Sequence, residues 1–272
     1  MVSFPNCKIN LGLKVLRRRD DGFHDLETIF YPLPLHDILE AVRSPELQFS
    51  ATGRPIPGDP GANLTIRAWQ LLRQDFPDLP FVHIFLHKQI PIGGGLGGGS
   101  ADGAFALDLL NRQFGLGLDT DRLALYAARL GSDCAFFLLN KPCLGQGRGE
   151  RLEALSLDLS GYSFLLIHPG IHISTAEAFS RCRPGESGSP LQSIVTQPLT
   201  TWRDNLANDF EAPLFDRYPI LREIKQSLYD RGALYAAMTG SGSCLYGIFE
   251  KGQVPDKGWD PAWEVISILA KK

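Results

Sequence analysis

"PIGGGLGGGSADG", Pro91 to Gly103, places six glycines in the seven positions from Gly93 to Gly99. Glycine loses more backbone entropy on folding than any other residue. So dense a run is therefore either a flexible linker or a loop whose backbone must lie against something. Its surroundings separate the two. Upstream, "FVHIFLHKQI" reads as a strand. Downstream, Ala104, Leu107, Leu110 and Phe114 recur at helical spacing, and Ser100 is a good capping residue for that helix. A linker would separate independent modules, whereas this run is packed between a strand and a helix. Strand, glycine loop and helix N-terminus together make an anion site: unpaired amides point outward and the helix dipole adds about half a positive charge. Glycines let a phosphate chain approach the backbone without meeting a Cβ.

Two common phosphate loops fit poorly. Gly93, Gly95 and Gly98 match G-x-G-x-x-G, but a chance match is nearly guaranteed among so many glycines. A dinucleotide fold also needs a second strand, with an acidic residue at its end about 20 residues on. "DTDRLALYAARLG" has helical periodicity there instead. A Walker A loop ends in Gly-Lys-Ser/Thr, and "GGGS" has no lysine.

Outward from the loop, "NCKINLGLKVL" alternates, with Ile9, Leu11, Leu13 and Val15 on one face and Lys8, Asn10 and Gly12 on the other. That pattern predicts a half-buried strand with a polar face. "RRRDDGFH" turns at Asp21-Gly22, and its arginines read as a solvated cluster. "DLETIFYPLPL" and "DILEAVR" are further strands, "SATGRPIPGDPGAN" is loop by composition, and "NLTIRAWQLLRQDF" is a helix. Gly131 stops the helix of "DTDRLALYAARLG", and "SDCAFFLL" opens an apolar element capped by Ser132 or Asp133. A second domain begins near "YSFLLIHPG", continues through "STAEAF" and a polar loop around "RPGESGSP", and ends as helix ("LANDFEAPLF"), helix ("ILREIKQSLYD"), strand ("ALYAAM"), glycine loop ("TGSGS") and strand ("CLYGIF").

The chain's 272 residues, 44% hydrophobic and 21% charged, suffice for one large domain or two intimate ones. A net charge of −3 offers no basic field for nucleic acid. The five cysteines lack metal-ligand spacing and read as reduced thiols of a cytoplasmic protein. No apolar signal core opens the chain, and the uncharged stretch 232–249 is too rich in Gly, Ser and Thr to span a membrane.

"PIGGGLGGGS" resembles the phosphate loop P-x-x-x-G-L-G-S-S of the GHMP kinases, and its triple glycines resemble the branch of that family acting on 4-diphosphocytidyl-2-C-methyl-D-erythritol. "KINLGLKVLRRRDDGFHDLETIF", "GSDCAFFL" and "AAMTGSGSCLYGIF" resemble three further motifs of that branch, in order, along essentially the whole chain. Phe23 stands where the family usually has Tyr, Cys7 where it has Ala, and Cys134-Ala135 where it has Val-Pro. The first exchange removes a phenol hydroxyl while leaving a ring to pack.

The resemblance implies an α+β, two-domain GHMP architecture. A ribosomal S5-like nucleotide-binding domain (1–153) would precede a ferredoxin-like domain (154–272) that closes over substrate. It implies ATP-dependent phosphorylation of the 2-hydroxyl of 4-diphosphocytidyl-2-C-methyl-D-erythritol, a step of non-mevalonate isoprenoid synthesis, with Mg²⁺ as the partner of ATP. The expected partner is a small molecule, without nucleic acid or membrane, for a monomer or weak homodimer. Rival readings are a homoserine- or mevalonate-type kinase of the same family, a non-catalytic sensor of a phosphorylated ligand, and a dinucleotide oxidoreductase. The motif "GFH" with the triple glycines disfavours the first, and the presence of both Lys8 and Asp133 disfavours the second.

Residue roles follow from the same resemblance, each beside a plainer reading. Asp133 resembles the catalytic aspartate; alone it reads as a helix cap. A carboxylate, with an ordinary pKa of about 3.9, is a weak base toward an alcohol, but phosphoryl transfer is largely dissociative and the proton can leave late. Lys8 resembles the catalytic lysine; alone it is a surface lysine on a strand. Pro91, Ile92, Gly93, Gly94, Gly95, Leu96, Gly97, Gly98, Gly99, Ser100 and Ala101 would hold the ATP phosphates, with Ser100 touching Mg²⁺ or merely capping. Asn63, Leu64 and Lys88 resemble adenine-pocket positions; otherwise they are a cap, core and a strand-end lysine. Asn10, Phe23 and His24 would face substrate, His24 beside the cytosine ring, and Phe179 would stack on that ring or pack in the core. Thr239, Gly240 and Gly242 would offer backbone amides to substrate phosphates, or form only a tight turn.

Overall fold

The structure is a computed structural model that describes residues 1–185, 188–255 and 257–270. The polar loop expected around 183–190 therefore lies partly outside the described residues. In chain order the strands and helices are β1 (Val2–Ser3), β2 (Asn6–Arg18), β3 (His24–His36), β4 (Ile38–Arg43), β5 (Gln48–Gly53), α1 (Leu64–Asp75), β6 (Val82–Lys88), α2 (Gly98–Phe114), α3 (Thr120–Leu130), α4 (Cys134–Leu139), β7 (Cys143–Gly147) and β8 (Arg151–Ala154). Then come β9 (Ser163–His168), α5 (Thr175–Arg181), α6 (Leu191–Val195), α7 (Trp202–Asn205), α8 (Glu211–Arg217), α9 (Pro219–Asp230), β10 (Tyr235–Met238), β11 (Leu245–Phe249) and β12 (Glu264–Ile268). The mixed content fits the α+β class expected.

The chain builds two compact units, and neither is one run of sequence. The first comprises 1–8, 32–92 and 97–141; the second comprises 9–31, 93–96 and 142–272. The boundary expected at 153/154 divides the chain by sequence, whereas the compact units interleave.

In the first unit the sheet order is β1-β4-β6-β5. β4 runs antiparallel to both β1 and β6, and β5 runs parallel to β6. Val82, Ile84, Leu86 and Lys88 share the buried side of β6, and α2 packs against β1 and β4 as well as α1, α3 and α4. Asn63 caps α1 by accepting from Thr65 N–H (2.9 Å), and Asp119 caps α3 by accepting from Arg122 N–H (2.9 Å). Gly131 ends α3.

The second unit contains an antiparallel sheet ordered β10-β11-β9-β12. Its core joins Leu165 and Ile167 to Leu221, Ile224 and Leu228 of α9. A further sheet, β2-β3-β7-β8, uses the long hairpin around Gly22, where Arg19 N–H donates to Phe23 C=O (2.8 Å).

Several expectations need correction. β2 is buried on both faces through Leu13, so it has no solvated polar face; Lys8 and Asn10 are tolerated inside because each has polar partners. Residues 50–53, expected as loop, belong to β5 because neighbouring β6 supplies the hydrogen-bonding edge. "LANDFEAPLF" is not one helix: Leu206–Phe210 interrupts it where Leu13 and Asn208 form an isolated bridge. The strands β7, β8 and β12 and the short α6 lacked a recognisable local pattern.

Candidate active site

In the first unit, the start of α2, the base of β2 and the start of α4 converge. Lys8 Nζ lies 3.4 Å from Asp133 Oδ2, with the lysine side chain 4% exposed and the carboxylate 34% exposed. Asp133 occupies the cap position of α4 yet makes no side-chain capping bond. Its carboxylate is thus turned to Lys8 rather than to its own helix. Unit charges about 4 Å apart attract by ~4 kcal/mol at an effective dielectric near 20, and by less where water reaches one of them.

The last glycine before α2, Gly97, lies against the lysine of this pair. Gly97 has φ +71°, and a Cβ there would lie 2.9 Å from Phe137 Cζ and 3.0 Å from Lys8 Cε. Both the backbone conformation and the lysine stem therefore require glycine. α2 begins at Gly98 with Gly97 as its cap, so Ser100, the expected cap, sits inside the first turn. Ser100 instead neighbours the Cys134 thiol, whose titration burial pushes up to about 12 against the opposing influence of the Ser100 hydroxyl. That thiol is a neutral neighbour, as is Cys7, also raised to about 12 by burial. All five cysteines are free.

Gly99 differs from its neighbours. It is exposed and helical, and a Cβ there would meet nothing within 4 Å. No protein contact demands glycine at this position. The first amides of a helix have no intrahelical acceptor, so an anion can approach them over Gly99. That cradle fits a nucleotide phosphate. Pro91, Leu96 and Ala101 are buried and Ile92 is half-buried, fixing the loop's flanks.

Of the expected adenine-side residues, Asn63 is the cap of α1, and Leu64 lies so close to α2 that a Cβ on Gly103 would come within 2.9 Å of its own Cβ. The Lys88 ammonium is buried between two carboxylates that the sequence reading missed. It hydrogen-bonds Asp37 and lies 2.7 Å from Asp102 Oδ2. Burial pushes the Asp102 carboxyl up, against the opposing pull of Lys88. Two sequence signals pointed here: a lysine in the inward register of β6, and an aspartate on the apolar face of α2 four residues before Ala106.

In the second unit, Asn10 is buried. Its Nδ2 donates to Thr28 Oγ1 (2.9 Å), its N–H donates to Thr239 Oγ1 (3.1 Å), and its carbonyl accepts from Tyr246 OH (2.8 Å). Thr239 Oγ1 also lies 3.2 Å from Gly95 C=O, and a Cβ on Gly95 would run into the Thr239 carbonyl. Gly93 is exposed, and Gly94 packs against His168 and Cys244. The Thr239–Gly242 loop is held by Asn208, whose Nδ2 donates to Met238 C=O (2.8 Å) and Gly240 C=O (2.9 Å). Gly240 and Gly242 both have positive φ. His24 and Phe179 stack face to face, centroids 4.5 Å apart and planes 15° apart. Burial and then the Arg18 charge lower the His24 titration. Phe23 is exposed, with the Arg148 guanidinium 4.8 Å above its ring.

Residues 63–141 match the family model described as the GHMP kinases N terminal domain, and residues 191–260 match GHMP kinases C terminal. The chain belongs to the GHMP kinase family. It is 47% identical over 253 residues to the 4-diphosphocytidyl-2-C-methyl-D-erythritol kinase of Bacteroides fragilis, covering 92% of each chain. The enzyme of the same name from Chlorobium limicola is 40% identical, covering 92% of this chain and 88% of that one. A crystal structure of 4-(cytidine 5'-diphospho)-2C-methyl-D-erythritol kinase superposes with a TM-score of 0.78 at 32% identity, covering 91% and 90% of the two chains. The Methanococcus jannaschii mevalonate kinase (TM-score 0.73, 12% identity, covering 100% and 98%) shares the fold. Membership of a kinase family implies use of ATP. Among the described residues no helix is long and apolar enough to cross a membrane.

Proposed function

We propose that this chain transfers the γ-phosphoryl group of ATP to the 2-hydroxyl of 4-diphosphocytidyl-2-C-methyl-D-erythritol. The observation that carries the proposal is the Lys8–Asp133 pair, 3.4 Å apart beside the start of α2, with an aspartate that forgoes its cap. The names of the 40–47% identical relatives support the choice of acceptor.

Asp133 orients the substrate hydroxyl and receives its proton as the new O–P bond forms and the bond to ADP breaks. Lys8 holds that carboxylate and balances charge on the attacking oxygen. The amides at the start of α2 bind phosphate, and Gly99 leaves them uncovered. Asn63 and Leu64 line the adenine side, whereas the ammonium of Lys88, the third residue expected there, is taken up by Asp37 and Asp102. Mg²⁺, when bound with ATP, neutralises phosphate charge, and Ser100 would hold it. Among the described residues no three carboxylate, histidine or cysteine groups form a metal cage, which suits an ion carried largely by nucleotide phosphates.

His24 and Phe179 already form a flat aromatic stack, which supports recognition of a cytosine ring together with Phe23. Asn10, Thr239, Gly240 and Gly242 serve the substrate's phosphates through the loop they build. We divide the chain functionally into a nucleotide half, 1–153, and a substrate half, 154–272, working as a monomer or weak homodimer. Five free thiols support a reducing, cytoplasmic setting.

The test is direct. Protein, Mg-ATP and the cytidyl substrate are incubated and phosphorus resonances followed. A new phosphomonoester signal at the 2-position is expected. Turnover of homoserine or mevalonate without that signal would replace the acceptor assigned here.

A further inference from the structure

We propose that Lys88, Asp37 and Asp102 form a clasp that holds both ends of the glycine loop, making them positioning residues for ATP. The proposal rests on the reading that the start of α2 takes nucleotide phosphate.

The geometry is that of a fastening across the loop. Asp37 lies between β3 and β4 and is fully buried. Its Oδ1 accepts from Gln89 N–H (2.6 Å) and Ile90 N–H (2.9 Å), the two residues before Pro91. Its Oδ2 accepts from the Lys88 ammonium, which also donates to Asp102 Oδ2 at 2.7 Å. Asp102 stands on α2, one turn beyond the loop's exit. The first residue of α2 rests on the same cluster: a Cβ on Gly98 would lie 3.0 Å from Lys88 Nζ and 2.9 Å from Ile90 Cγ2. Entrance and exit of the loop are thus tied to one ammonium.

A buried ion cluster is a poor way merely to fill space, since apolar side chains of the same volume often stabilise as well or better. This one is also incompletely satisfied: Asp102 Oδ1 is buried with no hydrogen-bond partner among the described residues. What the cluster supplies, and apolar packing does not, is direction. Six glycines would otherwise leave the amides of 97–101 free to wander. Binding a phosphate would then require ordering them at that moment. Fixing both flanks beforehand removes that cost from nucleotide binding.

The test uses the full chain with Asp102→Ala and Asp102→Asn, read by ADP affinity and by hydrogen exchange of peptides covering 89–101. In Asp102→Ala the ADP Kd is expected to rise about tenfold. Exchange should speed up over 89–101 and stay at the parent's level elsewhere. In Asp102→Asn, whose side-chain oxygen still accepts from Lys88, most of the affinity should return. A purely structural aspartate would instead loosen the whole unit evenly and leave the ADP Kd of the folded fraction unchanged, which overturns the clasp. Should Asp102→Ala not fold, Asp102→Leu, which still fills the space and removes the acceptor, decides: faster exchange confined to 89–101 supports the proposal, and the parent's exchange pattern overturns it. If the parent fails to bind ADP, the nucleotide reading falls, and the exchange data still judge the clasp.

Discussion

Two lysines of the first unit, Lys8 and Lys88, are equally buried, each with a side chain 4% exposed and each facing aspartate. Their partners differ. Asp133 is 34% exposed and meets Lys8 at 3.4 Å with one oxygen. Asp37 and Asp102 are sealed, at 0% and 4%, and hold Lys88 in direct hydrogen-bond contact. A buried lysine alone therefore does not mark chemistry. The accessibility of its acid does, because a carboxylate that must meet a substrate keeps one side open, and one that only positions a backbone is closed in.

The sharpest way to break this contrast is Asp133→Asn. We expect turnover to fall at least about 10³-fold, roughly 4 kcal/mol of transition-state stabilisation. ADP affinity should stay near the parent's, while the unfolding midpoint should fall modestly, because the side chain caps nothing but buried Lys8 loses its acid. Near-normal turnover would return Asp133 to the role of a helix-start residue.

Lys88→Met probes the other cluster. It leaves two buried carboxylates without their cation, a loss of ~3–5 kcal/mol in urea unfolding. Lys8→Met should cost clearly less stability, because water can take over the open Asp133, but should depress turnover more than ATP binding. Equal losses of stability for the two variants would erase the distinction.

A smaller effect separates two glycines at the loop's exit, Gly97 and Gly99, which flank Gly98. Gly97→Ala forces a side chain into the left-handed region, worth ~1–2 kcal/mol, and also presses on Phe137 and Lys8. Gly99→Ala meets open space on a helix and should be neutral or up to ~1 kcal/mol stabilising. Its expected defect is a weaker ADP Kd, measured by calorimetry. A Gly99→Ala protein that binds ADP as the parent does would place the phosphate elsewhere.

How much of this was legible depended on where the information lies. The strand before the glycines and the helix after them follow from local periodicity, and both are present as β6 and α2. The helix start was misplaced toward Ser100 because a glycine with positive φ turns the chain into the helix without any side-chain cap. The end of β5 looked like a loop because Ser, Ala and Gly around Thr52 carry little strand preference, and its pairing comes from β6 across a helix. The Lys8–Asp133 pair is invisible to local pattern, its members lying on β2 and at the start of α4; only the family motifs joined them. The Lys88 cluster was half legible. Lysine in the inward register of β6 announced a buried charge, but nothing in the sequence said that Asp37 would arrive from the β3–β4 junction.

The smallest predicted effect concerns a titratable group that faces no acid in this comparison. His24 lies against Phe179 at 4.5 Å, and its titration is lowered chiefly by burial and then by Arg18. A folded-state value below the unfolded value, ordinarily near 6.5, means that the unfolded chain binds more protons in that range. The stabilisation associated with neutral His24 is therefore present above the unfolded value and is lost as pH falls through the folded one. NMR titration of the imidazole Cε1–H should place its midpoint below that of an unstructured histidine. Phe179→Ala, which opens the ring to water, should raise the midpoint more than Arg18→Gln does. The reverse order would mean that charge, rather than the aromatic stack, sets the environment of this ring.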